Sequence, residues 1–302
     1  MNSIPFLHDL DAPIGKVEDI SPLVRRIICP NPGPYTYTGT GTFIIGHGKV
    51  AVIDPGPLND QHLKAILDAT SGETISHILV THTHADHSSL AAALSKASSA
   101  ETFAFGSHGG RQMDNAEGVE NGEEGVDMAF TPDHKLNDGD KISGDDWNIE
   151  AIHTPGHTSN HMCFALKQEN TLFSGDHVMG WSTSIVIPPD GDMAQYMKSV
   201  ERLMAQNYQC IRPTHGPAII EPRLFLEALL AHRMEREMLV LKAVVAGHEM
   251  VSDIVKTVYI GLPVELHKAA GMSALAHLIL LVNDGRVNCD DKPSMDSRFY
   301  IG

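Results

Sequence analysis

The segment from Val80 to Ser89, VTHTHADHSS, places three histidines and an aspartate within six positions. His82 and His84 are two residues apart, so in an extended chain their side chains point to the same side and can reach one metal ion. Asp86 and His87 fall where the chain enters a predicted helix, so they point elsewhere. One tetrahedral ion cannot easily use all four side chains, whereas two neighbouring ions can.

Further ligands must come from other strand ends, and three residues stand in suitable turns. His157 lies in the turn TPGHT, Asp176 ends the predicted strand LFSGD, and His215 ends the predicted strand CIRPTHG. Loops at the carboxyl ends of strands are where α/β folds place their sites. These three residues are therefore candidates to complete a metal site that begins with His82 and His84.

The four motifs HTHADH, TPGHT, SGD and THG, in this order and at these separations, resemble those of the metallo-β-lactamase superfamily of hydrolases. The upstream segments GTGTFIIG and VAVIDPG match the opening hairpin of that family, so the resemblance covers roughly residues 30–217. It implies an α+β fold, a four-layer αβ/βα sandwich in which two mixed sheets face each other and helices lie outside.

The resemblance also implies a division of the ligands between two metal ions. The family pattern gives the first ion three histidines: His82, His84 and His157. It gives the second ion one carboxylate and two histidines: Asp86, His87 and His215. Asp176 bridges both ions, and Asp86 and Asp176 are expected to take part in catalysis. A ligand set of imidazole and carboxylate without thiolate suits Zn²⁺, which is the metal we expect, and it also suits iron or Mn²⁺.

Two further residues are candidates to lie behind the ligands. Asp54, in the segment IDPG, can hold a ligating histidine, because such histidines usually donate their second N–H to a carboxylate or carbonyl. The position of Asp54 is equally consistent with a carboxylate of a strand-end turn that takes no part in the site. His161 follows His157 by four residues and can line the pocket or support a ligand, and a place on the strand surface is as consistent with its position.

The predicted centre indicates metal-dependent hydrolysis. Two ions roughly 3.5–4 Å apart share a water and lower its pKa from about 15.7 toward neutrality, which supplies a hydroxide nucleophile. We therefore predict a dinuclear metallo-hydrolase that attacks a small ester, thioester, lactone or amide. A phosphodiesterase or endoribonuclease is the alternative, and a mononuclear iron dioxygenase is a third. A non-catalytic relative is disfavoured because all seven ligands are present.

The pattern of the chain changes at Glu221 and Pro222. Three helices are predicted, to about residue 246, over 251–259 and over 263–282, the last with a break near Gly271, and a short β-ribbon follows. This order is typical of a winged helix, and it resembles the branch of lactamase-like hydrolases that carries one and includes an endoribonuclease. We expect a catalytic domain over 1–220 and a winged-helix-like domain over 221–302.

Charge and composition limit the partners. The net charge is −16, and the segment from Asp114 to Asp146 alone has eleven acidic and two basic residues. Residues 221–302 carry nine basic and eleven acidic residues, so the basic excess of a nucleic-acid-binding domain is missing. We expect a small-molecule substrate, with RNA possible but disfavoured, and a homodimer is an open expectation.

The remaining features of the sequence bear on location and on one loop. The N-terminus has no basic and apolar signal segment, and no apolar run is long enough to span a bilayer, so we expect a cytoplasmic protein without a membrane partner. The four cysteines lie far apart and form no disulfide framework or thiolate zinc site. The glycine-rich, acidic stretch over 107–131 is predicted to be a surface loop.

Overall fold

The computed structural model describes residues 3–109 and 125–302. These two ranges form 14 β-strands and seven α-helices. Most of the surface loop predicted over 107–131 lies outside the described residues. Within the described ranges, no helix is both long enough and apolar enough to cross a membrane.

The first sheet has seven strands that lie side by side in chain order. They are β1 (Val17–Ser21), β2 (Val24–Ile28), β3 (Gly41–Ile45), β4 (Lys49–Ile53), β5 (Thr74–Leu79), β6 (Glu101–Ala104) and β7 (His134–Lys135). Strands β1 to β4 pair antiparallel and include the predicted β3–β4 hairpin. Strands β4 to β7 pair parallel, so the carboxyl ends of β4 and β5 lie at the same edge.

The second sheet has five strands in the order β12–β11–β10–β9–β8. They are β8 (Lys141–Ser143), β9 (Asn148–His153), β10 (Met162–Leu166), β11 (Thr171–Gly175) and β12 (Cys210–Pro213). Strands β8 to β11 pair antiparallel, whereas β11 and β12 pair parallel. The chain therefore leaves β11 and β12 at one edge, as it leaves β4 and β5 in the first sheet.

Apolar side chains from both sheets meet in a central core. The rings of Phe43 in β3 and Phe173 in β11 lie 4.9 Å apart, centroid to centroid. Trp147 is fully buried in the same core, and its Nε1 donates a hydrogen bond to the carbonyl oxygen of Lys49 at 2.8 Å. Burial of each such side chain contributes roughly 1.5–3 kcal/mol, so this layer holds the two sheets face to face.

Helices cover the outer face of each sheet and complete the predicted four layers. Helices α1 (Asp60–Ala69) and α3 (Ala91–Ser98) pack on the first sheet, and α4 (Met193–Met204) and α5 (Pro222–Val245) pack on the second, while α2 (Ala85–Ser88) is a single turn between β5 and α3. Helix α1 begins where the Asn59 side chain accepts a hydrogen bond from the backbone N–H of His62, which satisfies a free helix-end donor. Helix α2 ends at Ser88, before α3 begins at Ala91.

The C-terminal region has its own core and the predicted order of elements. It contains α6 (Val251–Val258), α7 (His267–Asn283), β13 (Asn288–Cys289) and β14 (Phe299–Tyr300), and the two strands pair antiparallel. The predicted helix break near Gly271 is wrong, because α7 runs through this residue. A Cβ on Gly271 would lie 2.6 Å from Cε of Met295, so the glycine allows close packing instead of ending the helix.

Helix α5 contributes to both parts of the molecule. Its first half places Phe225, Leu226 and Leu229 in the core beside the second sheet. Its second half places Val240 and Val244 in the C-terminal core. The predicted domain boundary at residues 220 and 221 stays a prediction, and the helix that follows it connects the two cores.

Candidate metal centre

The seven predicted ligands come together at the edge where the parallel strands end. His82 and His84 follow β5, Asp176 follows β11 and His215 follows β12, while His157 lies in the turn between β9 and β10. Asp86 and His87 lie in the short helix α2 directly after the first histidines. The sequence motifs therefore occupy one small region, although their residues are up to 133 positions apart in the chain.

The first group of ligand atoms consists of three imidazole nitrogens. His82 Nε2 lies 2.8 Å from His84 Nδ1, and His157 Nε2 lies 3.3 Å and 3.2 Å from these two atoms. A tetrahedral zinc ion with Zn–N bonds of about 2.0–2.1 Å sets its ligand nitrogens roughly 3.3 Å apart. The three nitrogens thus have the separation that a shared cation requires.

The second group combines carboxylate oxygens with imidazole nitrogens. His215 Nε2 lies 2.9 Å from Asp86 Oδ2, and His87 Nε2 lies 3.3 Å from the same oxygen. Asp176 Oδ1 is 3.5 Å from both of these nitrogens. Its other oxygen, Oδ2, lies 4.0 Å from His157 Nε2 in the first group. The two oxygens of Asp176 therefore face different groups.

Four buried polar atoms in this centre make no hydrogen bond within the described part of the chain. They are Asp86 Oδ1, His87 Nε2, Asp176 Oδ1 and His215 Nε2. Leaving a buried polar atom unpaired costs about 1–3 kcal/mol, so such atoms are rare in proteins unless an ion or water satisfies them. The donor set of imidazoles and carboxylates suits divalent transition metals. These residues therefore fit metal ions.

The two groups differ in their protonation when no metal is bound. Burial, together with the neighbouring imidazole of His157, lowers the pKa of His84 to about 3. Burial also opposes protonation of His215, but Asp176 and Asp86 outweigh it and raise the pKa of His215 to about 9. The first group therefore presents neutral nitrogens at physiological pH, whereas the second holds protons that a cation must displace.

Oxygen atoms behind the centre fix the outer ring nitrogens of the histidines. His157 Nδ1 donates a hydrogen bond to the carbonyl oxygen of Ile185 at 2.6 Å. The other contacts are His82 Nδ1 with the Thr81 hydroxyl at 3.1 Å, and His215 Nδ1 with the Gly39 carbonyl at 3.3 Å. Because donation from Nδ1 leaves the Nε2 lone pair free, the inner nitrogen of His157 is available for a metal.

Asp54 lies directly behind His87. Its Oδ2 is 2.8 Å from His87 Nδ1, and the same carboxylate accepts hydrogen bonds from the backbone N–H and hydroxyl of Thr81 and from the hydroxyl of Thr214. The residue is fully buried. Of the two interpretations that the sequence left open, the structure therefore places Asp54 against a predicted ligand, between three strand ends.

Replacing Asp54 with asparagine is expected to weaken binding at the second group by about tenfold to a hundredfold, because the amide cannot stabilise a donating Nδ1 as a carboxylate does. Titration of the metal-free protein with Zn²⁺ measures this change. Asp133→Asn is the control, since Asp133 accepts the same pair of bonds, from the N–H and the hydroxyl of Thr102, but is itself exposed and belongs to neither ligand group. Equal Zn²⁺ affinity in the two variants would contradict the role of Asp54.

His161 also lies behind the ligands and not in an open pocket. Its ring is fully buried, and its Nε2 accepts a hydrogen bond from the backbone N–H of Asp176 at 3.2 Å. Its Nδ1 lies 2.9 Å from the hydroxyl of Thr154. The preceding Gly175 has a φ of 51°, and a Cβ there would lie 2.6 Å from His161 Nε2. The contact between His161 and the Asp176 backbone thus requires glycine at position 175.

Several supporting residues were missed by the sequence analysis. Thr81 and Thr214 each precede a predicted ligand, and this repeated Thr-His pair is a signal that could have been used. Ser184 gave no comparable signal, although its hydroxyl lies 2.8 Å from the carbonyl oxygen of His177 and also contacts that of Asp176. Its place depends on the tertiary path of the chain after β11.

Known families and proteins match both parts of the chain. Residues 36–215 match the model of the metallo-beta-lactamase superfamily, and residues 251–294 match that of the beta-lactamase associated winged helix domain. The beta-lactamase-like protein 2 homolog of Caenorhabditis elegans is 30% identical over 296 residues, which cover 95% of this chain and 92% of that protein.

Two further proteins show how far the likeness extends. An atrochrysone carboxyl ACP thioesterase of Paecilomyces divaricatus is 32% identical over 213 residues, 68% of this chain and 60% of that protein. The crystal structure of a beta-lactamase domain protein from Burkholderia ambifaria has a TM-score of 0.77 at 21% identity and covers 95% of this chain and 94% of its own. The predicted sandwich and winged helix are thereby confirmed. The chain belongs to the metallo-beta-lactamase superfamily of hydrolases and carries the winged-helix domain associated with it.

Proposed function

We propose that the protein hydrolyses a small acyl thioester or related ester, with two divalent cations, Zn²⁺ first among them, at the centre described above. The observation that carries this proposal is the pair of ligand groups that share Asp176. His82, His84 and His157 form one group, and the second is built from Asp86, His87 and His215. Two cations held by these groups would lower the pKa of a shared water and polarise the substrate oxygen.

The carboxylates of the centre are suited to orient the attacking water. Burial alone would raise the pKa of Asp176, but the imidazoles of His215 and His87 hold it at about 2. Burial likewise opposes ionisation of Asp86, yet His87 and His215 keep its pKa well below the usual range. Both side chains therefore remain ionised at neutral pH. An ionised Asp176 would accept a hydrogen bond from the attacking water, take up its proton as the C–O bond forms, and return that proton to the leaving thiolate as the C–S bond breaks.

A cleft beside Asp86 supports an acyl substrate. It has a volume of about 330 Å³ and is lined by Pro57, Leu58, Ala85, Asp86, Ser89 and Gly125. The Leu58 side chain is 75% exposed there. An apolar wall that meets a catalytic carboxylate suits an acyl chain whose reactive carbonyl lies at the metal centre. The ACP thioesterase among the relatives supports the same choice of substrate class.

The charges of the C-terminal region argue against RNA as the substrate. Several of its basic residues pair with acidic residues of the same region: Arg223 with Glu227, Arg286 with Glu237, Lys256 with Asp253, and Arg298 with Glu249. A winged helix that binds nucleic acid presents unpaired cations to the phosphates. We therefore place the phosphodiesterase second.

A substrate panel tests the proposal. It contains acyl thioesters of increasing chain length, a lactone, an amide and single-stranded RNA, offered to the Zn²⁺-loaded protein. We expect thioester hydrolysis that falls by about a thousandfold or more in both His84→Ala and Asp86→Ala, because each removes a ligand from a different group. His134→Ala is the control, since this exposed histidine contacts Glu101, stacks on Phe103 and belongs to neither ligand group.

Two results would change the assignment. Undiminished hydrolysis in both His84→Ala and Asp86→Ala would exclude the centre as the site of the reaction. Salt-sensitive retention of RNA together with its cleavage would favour the phosphodiesterase instead.

A further inference from the structure

Arg233, in the middle of α5, is a buried cation whose contacts lead toward the metal centre. It is 4% exposed, and it has no carboxylate partner in the described ranges. Its guanidinium lies over the ring of Tyr196, with Cζ 5.0 Å from the ring centroid. Its Nη2 donates a hydrogen bond to the carbonyl oxygen of Ser184. A buried charge without an opposite charge is destabilising. The contacts of Arg233 are therefore the place to look for a function that offsets this cost.

The segment that Arg233 contacts is also hydrogen-bonded to two of the proposed ligands. The Ser184 hydroxyl contacts the backbone carbonyl oxygens of Asp176 and His177. The next residue, Ile185, accepts the hydrogen bond from Nδ1 of His157. The Ser184 carbonyl belongs to the peptide unit that joins Ser184 to Ile185. This planar unit ends at the Cα atoms of Ser184 and Ile185, from which the Ser184 side chain and the Ile185 carbonyl extend, so a hydrogen bond to it restrains the starting point of both contacts.

We propose that Arg233 is a positioning residue of the metal centre, which fixes the peptide after Ser184 and thereby the orientation of Asp176 and His157. This proposal rests on the function proposed above, in which these two side chains bind the cations. It also gives α5 a role beyond packing, because the helix joins the C-terminal core to the catalytic sheets. A change in the position of α5 would be transmitted to the ligands through Arg233.

Arg236, one turn later on α5, provides a matched control. Its guanidinium lies over the ring of Tyr259, with Cζ 4.3 Å from the ring centroid, and its Nη1 donates to the carbonyl oxygen of Val258 at 3.0 Å. Both arginines thus contact one tyrosine ring and one backbone carbonyl. The contacts of Arg236 lie at the end of α6 and do not reach the metal centre.

The test compares Arg233→Met and Arg233→Lys with Arg236→Met and Arg236→Lys in the full chain. Competition with a chromophoric chelator gives the affinity of each metal-free protein for Zn²⁺, and the visible spectrum with Co²⁺ reports the ligand geometry. We expect Arg233→Met to weaken Zn²⁺ binding by about tenfold to a hundredfold and to change the Co²⁺ spectrum. Arg233→Lys should recover part of the affinity, because it keeps the charge and a donor.

The control separates positioning from general stability. Arg236→Met should keep the wild-type Zn²⁺ affinity and Co²⁺ spectrum even where it lowers the melting temperature as much as Arg233→Met does. Wild-type affinity and spectrum in Arg233→Met would overturn the role of Arg233 and leave the proposed hydrolase intact. Failure of the wild-type protein to bind Zn²⁺ would overturn both.

A second variant covers the case in which Arg233→Met does not fold. Ser184→Ala removes the hydroxyl that contacts the Asp176 and His177 carbonyls but leaves α5 untouched. We expect a loss of Zn²⁺ affinity of the same order. Unchanged Zn²⁺ binding by a folded Ser184→Ala protein would show that the Ser184 hydroxyl does not position Asp176 and would overturn the proposal, which needs that contact.

Discussion

Replacing Asp176 with asparagine is expected to lower kcat/KM for thioester hydrolysis by about a thousandfold or more, even at saturating Zn²⁺. The reason is that its two oxygens face different ligand groups, Oδ1 toward His87 and His215 and Oδ2 toward His157. Asparagine removes the negative charge and replaces one oxygen with a hydrogen-bond donor. It would therefore remove both the proposed link between the cations and the proposed water-orienting group.

The measurement is steady-state hydrolysis with metal analysis of the same samples. Asp192→Asn is the control, because Asp192 caps the N-terminus of α4 and asparagine caps helices nearly as well. We expect Asp192→Asn to retain activity near that of the wild type. Full activity in Asp176→Asn would show that a bridging carboxylate is not needed.

The two ligand groups are expected to respond differently to pH. In the metal-free protein, Asp176 and Asp86 outweigh the effect of burial and raise the pKa of His215 to about 9, so this imidazole keeps its proton at neutral pH. A cation must displace that proton, and its affinity for the second group should rise by about tenfold per pH unit until the pH passes the pKa of His215. Burial keeps the pKa of His84 at about 3, so binding at the first group should change little over the same range.

Calorimetric titration of the metal-free protein with Zn²⁺, in buffers of different ionisation enthalpy, measures both affinities and the protons released. We expect a tight step that releases almost no protons, followed by a weaker step that releases one or more. Asp86→Ala should lose the pH-dependent step and retain the other. Two steps with the same pH dependence would contradict the assignment of protons to His215.

The local part of the site could be predicted from the sequence, because its geometry follows from spacing along one segment. His82 and His84 converge since residues two apart in an extended chain share a side. The turns at other strand ends then suggested the distant ligands, and the resemblance of the four motifs to a known family supplied their division between two ions and the sandwich. The distant ligands lie at the ends of strands or in the turns between them. The order of those strands was implied by the family and not by any short-range pattern.

The contacts behind the ligands could not be predicted in the same way. Asp54 stayed one of two alternatives in the sequence, because its donors lie after two different strands: the N–H and hydroxyl of Thr81 after β5, and the hydroxyl of Thr214 after β12. Ser184 and Arg233 meet across the molecule, and their sequence context shows neither burial nor partner. Gly271 was misinterpreted as a helix break because its packing against Met295 depends on the C-terminal ribbon.

Metal analysis of the purified chain, after saturation with Zn²⁺ and removal of the excess, decides whether the centre holds two ions. We expect two Zn²⁺ ions per wild-type chain, one per His84→Ala chain and one per Asp86→Ala chain, with thioester hydrolysis only in the wild type. A single ion per wild-type chain that is retained by Asp86→Ala, with hydrolysis intact, would contradict this expectation.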